Sequence, residues 1–303
     1  MNLASLDLNL VVALRALLEE RNVTRAGERI GLSQPATSAA LARLRRHFGD
    51  ELISRSGGRY ELTALGRVLL DRTTTVYDQL DRLFSSRADF DPATEAHAFR
   101  LIGSDYAIAV FGAELARAVH REAPRVHLDF RQPPPDVDER TEALLSSVDG
   151  MLMPHGIISD LPATDLYSDR WVFLVAADND EVGDRLATAD LQRLPWVTYQ
   201  RTYDAPAVRQ LGVRGVEPRV EVSVDGFQAI PGLLSGTRRI ALLQERLARR
   251  LTLVEPVRIV PGPYEPVPLR EALWWHPVHA HDAAHVWLRT KAREVAAEMP
   301  DPL

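Results

Sequence analysis

Two groups of residues in this chain have types and spacing suited to recognition chemistry. The first is Ser33-Gln34-Pro35-Ala36-Thr37-Ser38, followed by Arg43, Arg45 and Arg46. Glutamine and serine side chains carry both donors and acceptors, so they suit base edges in a DNA groove, while arginines behind them hold phosphates. Arg55 and Arg59 bracket Ser56-Gly57-Gly58 and extend that set towards phosphates or a minor groove. The second group starts at Ser104-Asp105-Tyr106, a hydroxyl at an expected helix start. Free amides there can dock a carboxylate, and the same serine can equally be a plain helix cap. His155 ends an apolar strand-like run. Thr202-Tyr203 and Asp225-Gly226-Phe227 end others, with Tyr203 and Phe227 candidates either to flank an aromatic ring or to fill the core.

Metal and catalytic chemistry find less support. His276, His279, His281 and His285 lie close together, and His281 with His285 would share one helix face. That spacing would suit a metal together with Asp282, but no metal is assigned. The chain has no cysteine, which removes thiolate catalysis, disulfides and cysteine-ligated metals. It has no GxSxG, no glycine-rich phosphate loop and no HExxH, and Lys291 is its only lysine. No catalytic residue and no cofactor are assigned.

These residues need elements to hold them. Val23–Phe48 reads as two short helices around a tight turn. Thr24 caps the first and Gly31 ends it; Ser33 caps the second, with Pro35 in its first turn. Ala36, Ala40, Leu41, Leu44 and Phe48 recur at helical spacing and are expected inward, leaving Gln34, Ser38, Ala42 and Arg45 outward. An earlier helix, Asp7–Glu20, packs beneath the pair. ELISRSGGRYELT then reads as a hairpin, making a winged helix-turn-helix. Thr63 caps a long helix from Ala64 to about Ser86. Its apolar stripe (Leu65, Val68, Leu69, Val76, Leu80, Leu83, Phe84) exceeds what a small head can cover, so a helix–helix homodimer is expected. Arg87–Ala96 is polar and breaks the periodicity.

From Ala98 onward strands and helices alternate, which implies parallel sheets with helices on both faces. The expected division is a DNA-binding head at 1–63, a linker helix at 64–88, a hinge at 89–97 and an α/β body at 98–303. The body is expected as two lobes, about 98–168 with 268–303, and about 169–267, with a small molecule between them beyond the strand ends.

Composition fits this division. The 303 residues are 46% hydrophobic and 26% charged, ordinary for a soluble protein. The net charge of −6 is uneven: residues 1–88 hold 13 Arg against 10 Asp and Glu, and the rest carries the acidic excess. A weakly basic head on an acidic body is compatible with nucleic acid at one end. The N-terminus lacks a basic stretch before its apolar residues, and no apolar run is long enough to span a membrane. A cytoplasmic protein is expected.

The stretch TRAGERIGLSQPATSAALARLRRHFGDELISRSGGRYELTALG, then a long helix and an α/β body, resembles the LysR-type transcriptional regulators. The match is carried by Ser33-Gln34-Pro35-Ala36 with Ser38, by Leu44 and Gly49, by Arg55, and by Leu62-Thr63 with Gly66. RIALLQERLARRL and WWHPVHAHDAAHVWLR look like the subgroup answering to salicylate-like aromatic acids and to flavonoids. The resemblance implies a periplasmic-binding-protein-like body and double-stranded operator DNA as partner. It also implies an aromatic or carboxylate effector, a homotetramer built as a dimer of dimers, and RNA polymerase as a further partner. It places the loops at Ser104–Tyr106, Thr202-Tyr203 and Asp225–Phe227 on the effector cleft. The chain departs from the family where Ala39 and Ala40 replace a common basic residue after Ser38, and where Ile53 replaces the wing phenylalanine. Thr37 replaces a larger apolar residue and either bonds DNA or fills space. The alternative is a binding or enzymatic α/β protein with an incidental DNA-binding head.

Overall fold

The computed structural model describes Asp7 and residues 9–56, 59–85, 89–135, 137–200 and 206–300. The chain divides into two compact units, Met1–Ser86 and Arg87–Leu303.

In the first unit, α1 (Asn9–Glu20) buries Leu14, Leu17 and Leu18 against Leu41 and Leu44 of α3 (Gln34–Phe48) and against Leu52, Ile53 and Leu62. Each fully buried leucine contributes about 1.5–3 kcal/mol relative to exposure. The cap of α2 (Val23–Ile30) is Asn22, whose side chain accepts the Arg25 N–H at 3.1 Å. Thr24, expected in that role, lies in the first turn because the chain is already helical from Val23. Gly31 ends α2 at φ 69° and Gly49 ends α3 at φ 65°, a conformation glycine adopts without strain. Ser33 caps α3 as expected, accepting the Ala36 N–H at 3.4 Å.

The inward stripe of α3 runs through Thr37, Leu41 and Leu44 rather than Ala36, which is exposed. Thr37 is fully buried, its hydroxyl donating to the Ser33 carbonyl at 3.0 Å. It fills the close approach of α2 to α3: a Cβ on Gly27 would lie 2.7 Å from the Thr37 hydroxyl and 2.8 Å from the Leu32 carbonyl. As a DNA-contacting candidate Thr37 is corrected to a packing residue.

β1 (Ile53–Ser56) and β2 (Arg59–Leu62) pair antiparallel, with Arg55 opposite Tyr60. The tip glycines and the side chains of Arg55 and Arg59 lie outside the described residues. Thr63 starts α4 (Ala64–Ser85) by accepting the Gly66 N–H at 2.9 Å and donating to Asp50 at 2.7 Å. Leu65, Leu69 and Leu70 pack into the head core, and Arg15 stacks on Tyr77 at 4.4 Å. Val68 and Val76 are left 48% and 41% exposed, so packing on the head covers only one side of the helix.

The second unit holds nine strands in the order β4-β3-β5-β11-β6-β9-β7-β8, with β10 also on β6. They are β3 (His97–Gly103), β4 (Val126–Arg131), β5 (Gly150–Pro154), β6 (Ala163–Ala176), β7 (Pro195–Tyr199), β8 (Arg219–Val224), β9 (Ile240–Gln244), β10 (Val257–Val260) and β11 (Pro268–Trp274). The expected parallel pairs are present, within a sheet that is mixed. β3 runs parallel to β4 and β5, and β7 parallel to β8 and β9, but β6 and β11 run against their neighbours. These two are the crossover strands. β6 pairs with β11 over Ala163–Arg170 and with β9 over Trp171–Val175, so one strand serves both halves of the sheet. β10 was absent from the expected strands.

Helices flank the sheet. The first of them runs from Asp105 to Glu122 through a π turn at Ile108–Gly112. The segment expected to be a hinge is tied down from Phe90, whose ring packs on Phe99 and Trp287 at 6.5 and 5.4 Å, followed by an Asp91-capped turn. Among the described residues no helix is long and apolar enough to cross a membrane.

Candidate nucleic-acid interface and ligand cleft

The exposed side of the head gathers residues from three elements. Gln34, Ser38 and Ala42 of α3 line a shallow groove with Thr24 of α2 and Tyr60 of β2. The expected outward face is therefore present, with Thr24 on it in a role other than capping. Pro35 sits at the exposed start of α3. Tyr60, 53% exposed, was missed. Its signal was its place beside the wing arginines, opposite Arg55.

The arginines divide. Arg43 is 54% exposed and reaches Asp7 at 3.1 Å, an exposed pair that phosphate can displace. Arg46 is exposed. Arg45 is different: it donates to the carbonyls of Glu51 and Ile53, both at 2.9 Å, and pairs with the Glu51 carboxylate at 2.8 Å. These bonds hold the wing to α3, while Arg45 also lines the groove with Gln34, Ser38 and Tyr60.

The cleft of the second unit forms where β6 changes partners. Ser104, Tyr106, Trp171, Tyr199, Phe227, Gln244 and Glu271 are among the residues enclosing a cavity of about 30 Å³. Ser104 is a cap: its hydroxyl accepts the Ala107 N–H at 3.2 Å. Asp105 accepts the Tyr106 N–H at 3.0 Å and the Gln228 N–H at 2.8 Å, linking the two loops across the cavity. That carboxylate fills the helix start, so a carboxylate ligand finds an anion there already.

Tyr106 is buried, its hydroxyl donating to Asp169 at 2.8 Å. Phe227 stacks on Tyr199, with centroids 3.9 Å apart and planes within 10°. Burial raises the carboxyl of Asp169 despite its hydrogen bonds from Tyr106 and from the Arg170 and Arg246 amides. Burial and then the nearby Asp169 push Glu271 up to about 8.

Three expected residues stand off the cavity: Asp105, His155 and Asp225. His155 is exposed, bonding Asp165 at 2.7 Å with its ring 5.1 Å from Trp274, one residue beyond the lining Pro154. Asp225 is exposed and does not line it. Thr202 and Tyr203 lie outside the described residues. Trp171, Tyr199, Gln244 and Glu271 were missed. Glu271 had a signal: it alternates with Leu269 and Leu273 in a strand and so shares their buried face.

Two of the four histidines, His279 and His285, are buried and structural. His279 Nε2 bonds the Val148 carbonyl at 3.0 Å and His285 Nε2 the Asp149 carbonyl at 2.5 Å, and their rings stack at 4.7 Å. Burial pushes His285 down to about 3, so it is neutral.

Residues 8–67 match the family model of the bacterial regulatory helix-turn-helix protein, lysR family, and residues 93–297 that of the LysR substrate binding domain. The chain belongs to the LysR family. Among LysR-family relatives, Nodulation protein D 1 of Rhizobium meliloti (strain 1021) is 38% identical over 95% of this chain and 94% of its own length. Nodulation protein D 2 of Rhizobium tropici is 33% identical over 100% of this chain and 96% of its own.

Solved structures show the same fold. A probable transcriptional regulator from Pseudomonas aeruginosa superposes with TM-score 0.72 at 24% identity, covering 96% of this chain and 98% of its own. CbnR in complex with its target DNA superposes with TM-score 0.67 at 13% identity, covering 96% of this chain and all of its own. The protein is thus a LysR-type DNA-binding transcriptional regulator with a winged helix-turn-helix head and a small-molecule effector domain, and not an enzyme. LysR regulators bind operator DNA and small-molecule effectors and form oligomers.

Proposed function

We propose that α3 lies in the major groove of operator DNA, with Gln34 and Ser38 reading base edges and Thr24 and Tyr60 meeting the flanking backbone. The observation that carries this is the exposed face on which Gln34 and Ser38 stand, framed by capped helix ends that fix its start. Arg43, Arg46 and the wing residues Arg55 and Arg59 hold phosphates. Ser33 and Pro35 set the angle at which the helix enters.

The working boundaries are 1–63 for the head, 64–88 for the linker, 89–97 for the hinge and 98–303 for the effector domain. Lobes at 98–168 with 268–303, and at 169–267, are supported by the change of β6 partners at Arg170/Trp171. Pairing of α4 through Val68 and Val76 makes the homodimer, dimers assemble into tetramers, and the assembly acts in the cytoplasm beside RNA polymerase. An aromatic effector enters the cavity at Ser104, Tyr106 and Phe227. Because about 30 Å³ admits little more than a water, entry parts Asp105 from Gln228 and so moves one half of the body against the other.

A gel shift on the upstream intergenic DNA tests the reading face. Gln34→Ala should weaken the specific site by about 1–3 kcal/mol and leave bulk competitor DNA bound as before. Equal weakening on both would remove Gln34 from base reading.

A further inference from the structure

The cavity is bordered by polar atoms that the fold leaves unpaired. Among the described residues, Trp171 Nε1, Gln244 Oε1 and Glu271 Oε2 are buried without a hydrogen-bond partner. Glu271 is 1% exposed, Gln244 2% and Trp171 5%. Each unpaired buried group of this kind costs about 1–3 kcal/mol, so three around one small space mark a place built for a partner.

Their positions follow from the sheet. Trp171 and Gln244 are cross-strand neighbours in β6 and β9, and Glu271 stands opposite Pro154 of β5. On its other side the ladder skips Glu271, shifting register between Arg270 and Ala272. The extra residue is on β6, where Leu166 and Tyr167 stand against the single Glu271 of β11, so the ladder is broken beside Glu271, which lines the cavity.

Taking the cleft as the effector site, as read above, we propose that Glu271 acts there as a neutral carboxyl that donates a hydrogen bond to an uncharged oxygen of the effector and excludes effectors carrying a carboxylate. Burial without a cation keeps its proton on. The charged and titratable groups nearby are Asp169 and Tyr167 of β6, Tyr106 of the first body helix, and Arg246.

Arg246 does not line the cavity: it bonds the Ser168 carbonyl at 3.1 Å and lies over the Tyr167 ring at 5.2 Å. Arg170 is directed to Glu245, with one contact at 3.1 Å. A carboxylate in the cavity would therefore lose its hydration beside Glu271 and Asp169 with no arginine to meet it. An aromatic ketone with a hydroxyl fits all three groups. Its carbonyl accepts from Glu271 or Trp171, its hydroxyl donates to Gln244, and its ring lies between Phe227 and the opposite wall.

The test is tryptophan-fluorescence titration of the full-length chain with two ring-matched probes, para-hydroxymethyl-acetophenone and para-hydroxymethyl-benzoate. Neither hydroxyl ionises in the range used. At about pH 6.5 the ketone should bind at least ~10-fold more tightly than the carboxylate, and its affinity should fall as Glu271 ionises above about pH 8. Glu271→Gln keeps a donor of the same shape, so it should retain the ketone and lose the alkaline fall. Glu271→Leu should weaken the ketone about 10-fold.

A carboxylate that binds as tightly as the ketone, and is lost with Phe227→Ala, leaves the cleft standing and overturns the role of Glu271. So does a Glu271→Gln protein that keeps the alkaline fall. Failure of both probes and of a panel of neutral aromatics removes the cleft reading, and this one with it.

Discussion

The head and the effector domain solve recognition in opposite ways. The head puts its reading residues outside: Gln34 and Ser38 are exposed on one helix, and the only demand on the fold is that α3 start and stop where Ser33 and Gly49 place it. The effector domain puts its reading residues inside, drawing Trp171, Gln244 and Glu271 from three strands and burying each almost fully. A polymer is read by a surface presented to it, because its edges come to the protein. A small molecule must be enclosed, because hydrogen bonds discriminate only where water does not compete. The first kind of site is made by local sequence, the second by long-range register.

The largest test of this contrast is Gly27→Ala. The added methyl meets the Leu32 carbonyl at 2.8 Å, so the helix pair cannot close and operator binding should be abolished. Because the two units are separately compact, the body's melting transition should persist in calorimetry. Loss of both transitions together would make the units one folding block.

Phe227→Ala should come next in size. It removes a fully packed ring stacked on Tyr199, for a loss of about 3–5 kcal/mol in the body alone. Urea melts read by far-ultraviolet dichroism would show the body transition moving and the head transition standing still.

The buried carboxyl gives a signed pH dependence. Glu271 titrates near 4.5 when unfolded and at about 8 when folded, so between those values only the folded state holds the proton. Stability therefore falls as pH rises through that window, by about 3 kcal/mol at neutral pH. Glu271→Gln carries no such dependence. Its stability relative to the parent should rise steadily from acid to neutral pH, and a constant gap would mean that the carboxyl is solvated.

The smallest effects separate two adjacent arginines, Arg45 and Arg46. Arg46→Ala should weaken all DNA alike and lower the salt slope by about one counterion, with the melting temperature unchanged. Arg45→Ala should instead destabilise the head by about 1–2 kcal/mol through the lost Glu51 and Ile53 carbonyl bonds, leaving the slope in place.

How far the sequence could be read follows the same line. Caps at Ser33 and Thr63, breaks at Gly31 and Gly49 and the leucine spacing of α1 are local signals, and they located the head within a residue or two. Thr24 yielded to Asn22 because two cap-forming residues stood close together and backbone conformation chose between them. Thr37 was ambiguous because a threonine on a helix can bond its own carbonyl inside a tight crossing.

In the body, element order was legible but strand direction was not. Nothing in the residues of β6 and β11 says that they run against their neighbours. Ser104, Tyr106 and Phe227 were found because loop-to-helix junctions have a signature. Gln244 was not, since its role depends on which strands lie side by side, and the alternation around Glu271 marks its burial but not the cavity it borders.

The most direct measurement is operator affinity by fluorescence anisotropy on the upstream intergenic DNA, with and without para-hydroxymethyl-acetophenone, in the parent and in Phe227→Ala. Coupling between an enclosed site and an exposed one predicts that the ketone changes operator affinity in the parent and leaves Phe227→Ala unaffected. A ketone that binds the parent without changing its operator affinity, or that changes both proteins equally, would contradict it.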